Sequence, residues 1–267
     1  HLLNVRVGRF YIPFGEEYEV RGVMENPLIS HSVSDLWGID EGAEIYGGAG
    51  KVDYALAVQN GGIKTLRDFN SDKAVAARLG FNPVSWLRLS ASAMRTGDLT
   101  VAGDGTSALW FANGFIRELG APATTQLFSA SLGELDGSVH WKTGHLGADL
   151  GYVKFDDDDT TTNNARHMTY YAVEGVQNLG EGLYGAVRFS QIHAPRGYTL
   201  VGQGTFTEYY NATDLTDDLQ RLSFGLGYRF GPPLVWKTEY NVEQGHLVSG
   251  QSRSGENFLS TEIALRF

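Results

Sequence analysis

NFLSTEIALRF, residues 257–267, sets Leu259, Thr261, Ile263, Leu265 and Phe267 at every second position. Strict alternation of this kind is a strand with one apolar face. Phe258, Ser260, Glu262, Ala264 and Arg266 stand between them and are mostly polar or small, so the opposite face looks at water while the first looks at something greasy. The same division recurs upstream. It opposes Val52, Tyr54, Leu56 and Val58 to Lys51, Asp53 and Gln59, and Leu87, Leu89, Ala91 and Ala93 to Arg88, Ser90 and Ser92. Further on it opposes Leu222, Phe224, Leu226, Tyr228 and Phe230 to Arg221, Ser223, Gly225, Gly227 and Arg229.

Twelve segments carry this pattern: residues 3–13, 38–47, 50–60, 73–82, 86–97, 126–142, 145–155, 166–177, 183–192, 219–230, 234–243 and 257–267. Their connections alternate long and short without a break. The short ones are Gly47-Gly48-Ala49-Gly50, Asn82-Pro83-Val84-Ser85, Thr143-Gly144, Asn178 to Gly182 and Gly231-Pro232-Pro233. A soluble β-sandwich also has alternating strands, but it has no reason to alternate its loop lengths. Membrane barrels do, with short turns on one side and longer loops on the other. Phe81, Trp86, Trp141, Phe230, Trp236 and Phe267 cluster where strands meet short turns, as an interfacial girdle would.

Composition fits a barrel and excludes other classes. The chain has 267 residues, 42% of them hydrophobic, and a mean hydropathy of -0.22; no run approaches the roughly 20 apolar residues of a spanning helix. Glycine is abundant at 34, and phenylalanine and tyrosine number 14 and 13, which suits short twisted strands with aromatic belts. The absence of cysteine removes disulfides and thiolate metal sites. A net charge of -10 opposes nucleic-acid binding. The first residue is His1 and no signal peptide is recognisable, so the chain reads as mature or cut from a longer precursor.

Two stretches carry a family resemblance. The terminal aromatic of residues 257–267 resembles the C-terminal signal of bacterial outer-membrane β-barrels, in which the last strand closes against the first. VRVGRFYIPFG, residues 5–15, resembles the phosphate-selective porin O and P family, where a Pro-Phe-Gly turn leads from a strand into an external loop. What the resemblance implies is an integral protein of the bacterial outer membrane, in contact with lipid bilayer and lipopolysaccharide, assembled as a homotrimer and serving as a passive channel. Family members have 16 strands, and this strand comes after the first few, so four strands would precede His1. The family's third external loop narrows its pore, and here that loop would be residues 16–37, with Arg21, His31 and Asp35 as its polar candidates and Leu28, Ile29 and Trp37 among its apolar anchors. A surface cap or subunit contact is the alternative role for this loop. Residues 98–125 are the second long candidate.

Strand parity also nominates a charged wall. Arg6, Lys51, Arg78, Arg88, Lys142, Arg188, Arg221, Arg229 and Lys237 share the water-facing side with Glu44, Asp53, Glu174 and Glu239. The long connections together carry about -13, leaving about +3 for strands and turns out of the total of -10. Facing rows of opposite sign put a transverse field across a pore, or they pair and stiffen the wall. The family's basic ladder would favour anions, whereas this wall is mixed.

Other motifs are weaker. DDDDTTTNN, residues 156–164, offers oxygen ligands but lacks the spacing and glycine of a calcium loop. His31, Ser32, Ser34 and Asp35 are residue types of a hydrolytic triad, yet no Gly-x-Ser-x-Gly elbow occurs, and GQSRSG around Ser252 misses it by one position. The sequence reading is therefore an all-β, transmembrane antiparallel barrel over residues 1–267, with about twelve strands visible. It is expected to be a porin for small hydrophilic solutes or ions, with no catalytic residue, cofactor or metal site. A structural barrel sheathing a partner, such as an electron-conduit component, is the alternative.

Overall fold

The structure, a computed structural model, describes residues 2–17, 22–60, 72–97, 99–100, 109–111, 114–115, 127–157, 165–198, 216–253 and 257–267. Among them the backbone forms sixteen strand segments. The first five are β1 (Asn4–Tyr11), β2 (Leu36–Ala49), β3 (Val52–Gln59), β4 (Ala74–Val84) and β5 (Leu87–Arg95). Three short pieces follow, β6 (Leu99–Thr100), β7 (Leu109–Phe111) and β8 (Gly114–Phe115). The long strands resume with β9 (Leu127–Trp141), β10 (Gly144–Asp157), β11 (Arg166–Asn178), β12 (Leu183–Tyr198), β13 (Thr216–Gly231) and β14 (Leu234–Leu247). The short β15 (Ser252–Arg253) precedes β16 (Phe258–Leu265).

The twelve expected strands are all present, each antiparallel to the next in chain order, from β1 on β2 to β14 on β16. Every short connection lies at one end of this meander and every long one at the other. The strands are longer than the pattern suggested where they approach the long connections: β12 runs to Tyr198, β13 starts at Thr216 and β14 ends at Leu247. Alternation fades there because both faces carry polar residues such as His193, Arg196 and Asp218. Likewise β2 begins at Leu36, so the preceding connection ends at Asp35 and Trp37 belongs to the strand. Residues 109–111 pair with the start of β2, joining Leu36 to Phe111 and Gly38 to Leu109, so the connection after β5 reaches back across β3 and β4.

The outer face is apolar and exposed. Leu56, Leu79, Leu135, Leu150, Val187, Phe224 and Leu226 all lie open on it, an apolar expanse that a soluble monomer rarely shows and a membrane barrel requires. Phe81, Trp86, Trp141 and Phe230 are exposed near the short turns, and Phe267 at the chain end. Trp141 and Trp236 direct their indole N–H groups to Gln177 and Thr261, at 3.0 and 3.1 Å. The inner face is the reverse: Glu44, Arg78, Ser92, Glu134, Arg188, Arg221, Lys237 and Glu239 are buried on it. The core of the molecule lies inside the curled sheet, where Met94, Leu132, Met168, Tyr170, Ile192 and Leu219 pack around Ile12, Phe14 and Val33.

The two edges of the sheet stay apart: β1 pairs with β2 and β16 with β14, and among the described residues no register joins β1 to β16. Closure needs the sheet's curvature to bring its edges within the 4.7–4.9 Å strand spacing, and these two edges keep their outward backbone groups unpaired with each other.

Candidate functional site

The connection between β1 and β2 folds into the concave side of the sheet. Its entry is the Pro-Phe-Gly turn. Ile12 donates its N–H to the Gly38 carbonyl at 2.9 Å, and Pro13, lacking an N–H, ends the ladder. Gly15 turns the chain inward with φ +73, a conformation that costs side-chain-bearing residues. Its N–H reaches Ser92 Oγ at 3.0 Å and its carbonyl accepts from Arg78 at 3.3 Å, both on the inner wall. Ile12 and Phe14 are each 2% exposed, and burying two such side chains contributes about 1.5–3 kcal/mol apiece.

The later part of the segment is fastened to the opposite wall. Leu28 is fully buried over Gly225, where an added methyl group would collide with it, and Met24 packs on Tyr184, Val235 and Ala264. The polar fastening is denser. Glu239 accepts from the N–H groups of Ile29 and Ser30 at 2.5 and 2.7 Å and from Ser30 Oγ at 2.5 Å. Lys237 Nζ donates to the carbonyls of Val23 and Leu28 at 2.8 and 3.2 Å and pairs with Glu262 at 2.7 Å. Arg188 donates to Ser30 O at 2.7 Å and Asn26 Oδ1 at 3.1 Å while pairing with Glu174 at 2.5 Å. Arg221 donates to His31 O at 3.2 Å and pairs with Glu243 at 2.5 Å. Ser190 Oγ accepts from Val33 N–H at 3.0 Å.

These contacts change the part several nominated residues play. Arg188, Lys237 and Arg221 are only 1%, 2% and 4% exposed, because the segment's backbone covers them. Glu239 is covered with them. They face the inside of the sheet, as parity indicated, yet their charges are spent on carbonyls, amides and carboxylate partners. Glu174 pairs with Arg188 but also borders open space. On the other side, Arg6 pairs with Glu44 at 3.1 Å and lies over the Phe10 and Tyr46 rings. Arg88 bridges Asp53 and Glu16, at 2.8 and 2.7 Å. Lys51 and Lys142 are corrected: both lie in the short turns, exposed, with Lys51 donating to the Pro83 carbonyl, because parity was counted past the strand ends. Arg229 sits near the short-turn rim with its guanidinium over the Tyr184 ring at 5.0 Å. Arg21, residues 98, 101–108, 112–113 and 116–125 of the second long connection, and Asp158 to Asn164 of the acidic run lie outside the described residues.

What remains open is a cavity of about 490 Å³ between the segment and the wall of β5, β9, β10 and β11. The segment lines it with Glu16, Glu17, Glu25 and Pro27, and the wall with Arg88, Ser90, Asp136, Ser138, Asp149 and Glu174. Toward the short turns, His140 and His145 stack with ring centroids 5.4 Å apart. Six carboxylates thus meet a single arginine, itself bound to Glu16 and Asp53. A second cavity of about 390 Å³ runs along β1 to β4 and is bounded by Arg6, Glu44, Asp53 and Arg78. Sequence reading left Asp136, His140 and His145 unnamed, although the parity of β9 places Glu134, Asp136, Ser138 and His140 on one face.

Of the triad residue types, His31 Nδ1 abuts Asp35 Oδ2. The Ser32 hydroxyl donates to Glu17 at 2.6 Å and the Ser34 hydroxyl to Ser32 at 3.0 Å. Neither serine hydrogen-bonds to the histidine that would activate it.

No family model and no curated protein sequence matches the chain. Solved structures do. The outer membrane channel DcaP of Acinetobacter baumannii aligns with a TM-score of 0.60 and 11% identity, over 98% of this chain and 70% of its own. OmpT, an outer membrane protein of Vibrio cholerae, aligns with a TM-score of 0.60 and 10% identity, over 97% and 73%. A refined porin gives 0.55 and 8%, over 99% and 77%. At these identities the likeness is one of fold: an all-β antiparallel sheet with the architecture of outer-membrane channel barrels.

Proposed function

We propose that the chain is an integral β-barrel of a bacterial outer membrane that lets small hydrophilic solutes diffuse through a lumen narrowed by residues 12–35. The observation that carries this reading is the inverted face pattern, apolar outside and charged inside, with a segment of the chain docked against the inner wall. The inward side chains of Arg6, Arg78, Arg88, Glu44, Asp53 and Glu174 border the space left by that segment. Cationic or neutral solutes suit it better than anions, since the charged groups lining the larger cavity are six carboxylates against one arginine and Arg188, Arg221 and Lys237 lie under the segment. The basic ladder implied by the porin O and P resemblance has no counterpart there.

The unpaired edges of β1 and β16 extend the reading. Unsatisfied backbone groups in hydrocarbon cost several kcal/mol each, so in a membrane both edges require strand partners. Further strands preceding β1 would supply them, and the aligned outer-membrane structures are longer than this chain. Trimer formation and lipopolysaccharide contact belong to the same proposal. A channel, rather than an enzyme or a sheath around a partner, is favoured because the chain's own segment occupies the interior.

Reconstitution in a planar bilayer under a salt gradient tests the function. Stepwise conductance with a reversal potential on the cation side is expected. Absence of any steps from folded protein would favour the sheath, and an anion-side potential would refute the selectivity.

A further inference from the structure

We propose that Glu17, His31 and Asp35 form a binding site for a divalent transition-metal cation that clasps the two limbs of the inward segment. One ligand atom from each, an imidazole nitrogen and two carboxylate oxygens, lies within 4.8 Å of the others. A zinc ion with bonds near 2.0–2.2 Å holds tetrahedral ligands about 3.4 Å apart, so the close His31–Asp35 pair opens and Glu17 draws in for the three to share one ion. Asp35 is buried and Glu17 and His31 are half-buried, which distinguishes the group from a surface patch of acids.

Two independent features point to a ligand. His31 Nδ1 is buried and has no hydrogen-bond partner, although it abuts Asp35 Oδ2. The approach lacks the direction of a donated N–H, so the contact leaves the imidazole nitrogen without a hydrogen bond. The second feature is an outer shell. Ser32 holds the Glu17 carboxylate with its N–H at 3.1 Å and its hydroxyl at 2.6 Å, and Ser34 in turn donates to Ser32 at 3.0 Å. Such partners orient metal-bound carboxylates. The nearby Arg221, which donates to the His31 carbonyl, is neutralised by Glu243 and does not oppose a cation.

Ligand chemistry selects the metal. An imidazole beside two carboxylates suits zinc and its neighbours rather than calcium or magnesium, which take oxygen alone. Water would complete the coordination from the partly open side of His31. Because Glu17 lies near the start of the segment and His31 and Asp35 at its end, the ion ties the two together. The site is independent of what crosses the lumen, so it stands or falls separately from the transport reading.

Calorimetric titration of the folded, chelator-treated protein in detergent with zinc chloride is the test. Saturation at one zinc per chain is expected, with at least tenfold weaker binding for His31→Ala and for Glu17→Gln. Ser32→Ala should weaken binding about tenfold as well. A His140→Gln/His145→Gln double variant should bind as the parent does. Zinc should also raise the melting temperature of the parent but not of His31→Ala. Circular dichroism confirms folding, and Glu17→Gln carries the test if His31→Ala does not fold. No saturable binding by the parent, or binding that survives His31→Ala and vanishes in the double variant, would overturn the proposal.

Discussion

The wall of β12, β13, β14 and β16 and the wall of β5, β9, β10 and β11 follow the same alternation, yet they meet the interior in opposite ways. The first is covered: Arg188, Arg221, Lys237 and Glu239 are buried beneath residues 22–33 and bonded to their backbone. The second is bare toward the short turns, where Asp149, His140 and His145 border open space, while Asp136 accepts the Glu16 N–H at 3.2 Å. Charge on a barrel's inner face therefore serves two ends. Where a segment of chain lies over it, charge replaces the hydrogen bonds that segment would make with water; where none does, it borders open space.

The contrast breaks most visibly if the cover is removed. Deleting residues 18–33 should expose the β12–β16 wall and raise single-channel conductance several-fold, with larger sugars entering in a liposome-swelling assay. Unchanged conductance would mean that the segment narrows nothing. Loosening the cover is milder. Glu239→Ala leaves the Ile29 and Ser30 N–H groups without their acceptor, at about 1–3 kcal/mol each, and current recordings should show frequent opening fluctuations that the parent lacks.

The bare wall is tested by charge. Asp136→Asn with Asp149→Asn should lower the cation-to-anion permeability ratio markedly, because the field is focused where the passage is confined. Arg221→Gln, on the covered wall, should affect current noise more than the reversal potential. If Arg221→Gln shifts the potential more than the double carboxylate change, the assignment of the two walls is wrong. The smallest effect is steric. Gly225→Ala sets a methyl group into Leu28, and overpacking of this kind costs about 1–3 kcal/mol. A melting temperature lowered by a few degrees would register it.

Much of this architecture is legible in sequence because a barrel writes its two solvents into alternate residues. Leu222 to Phe230 and Arg221 to Arg229 assign the faces of β13 without any structure. Parity, however, tells which side a residue faces and nothing of what lies over it. Lys237 and Asp149 look alike by that rule, one covered and one bordering open space, because the cover depends on contacts between residues about 210 positions apart. Counting through turns misplaced Lys51 and Lys142, whose backbone has already left the ladder. Polar strand extensions, as in β12 from His193 to Tyr198, lack the apolar half of the signal. The clustering of Glu17 with His31 and Asp35 needs the fold of the segment, which the spacing of three polar residues in a loop does not reveal.

The fastening of the inward segment also has a consequence for assembly. Its residues are among the first thirty-five of the chain, but Ile29 and Ser30 are held by Glu239, about 210 positions later. Loop closures that long are slow to form. Strands β1 to β5 can pair and receive the Pro-Phe-Gly entry of the segment through Ser92 and Arg78, but its later part has no wall to dock on until β12 to β14 are in place. If the proposed channel holds, a barrel caught midway would be wide rather than shut, so that its constriction would mark the completion of the sheet and a leak would betray its absence.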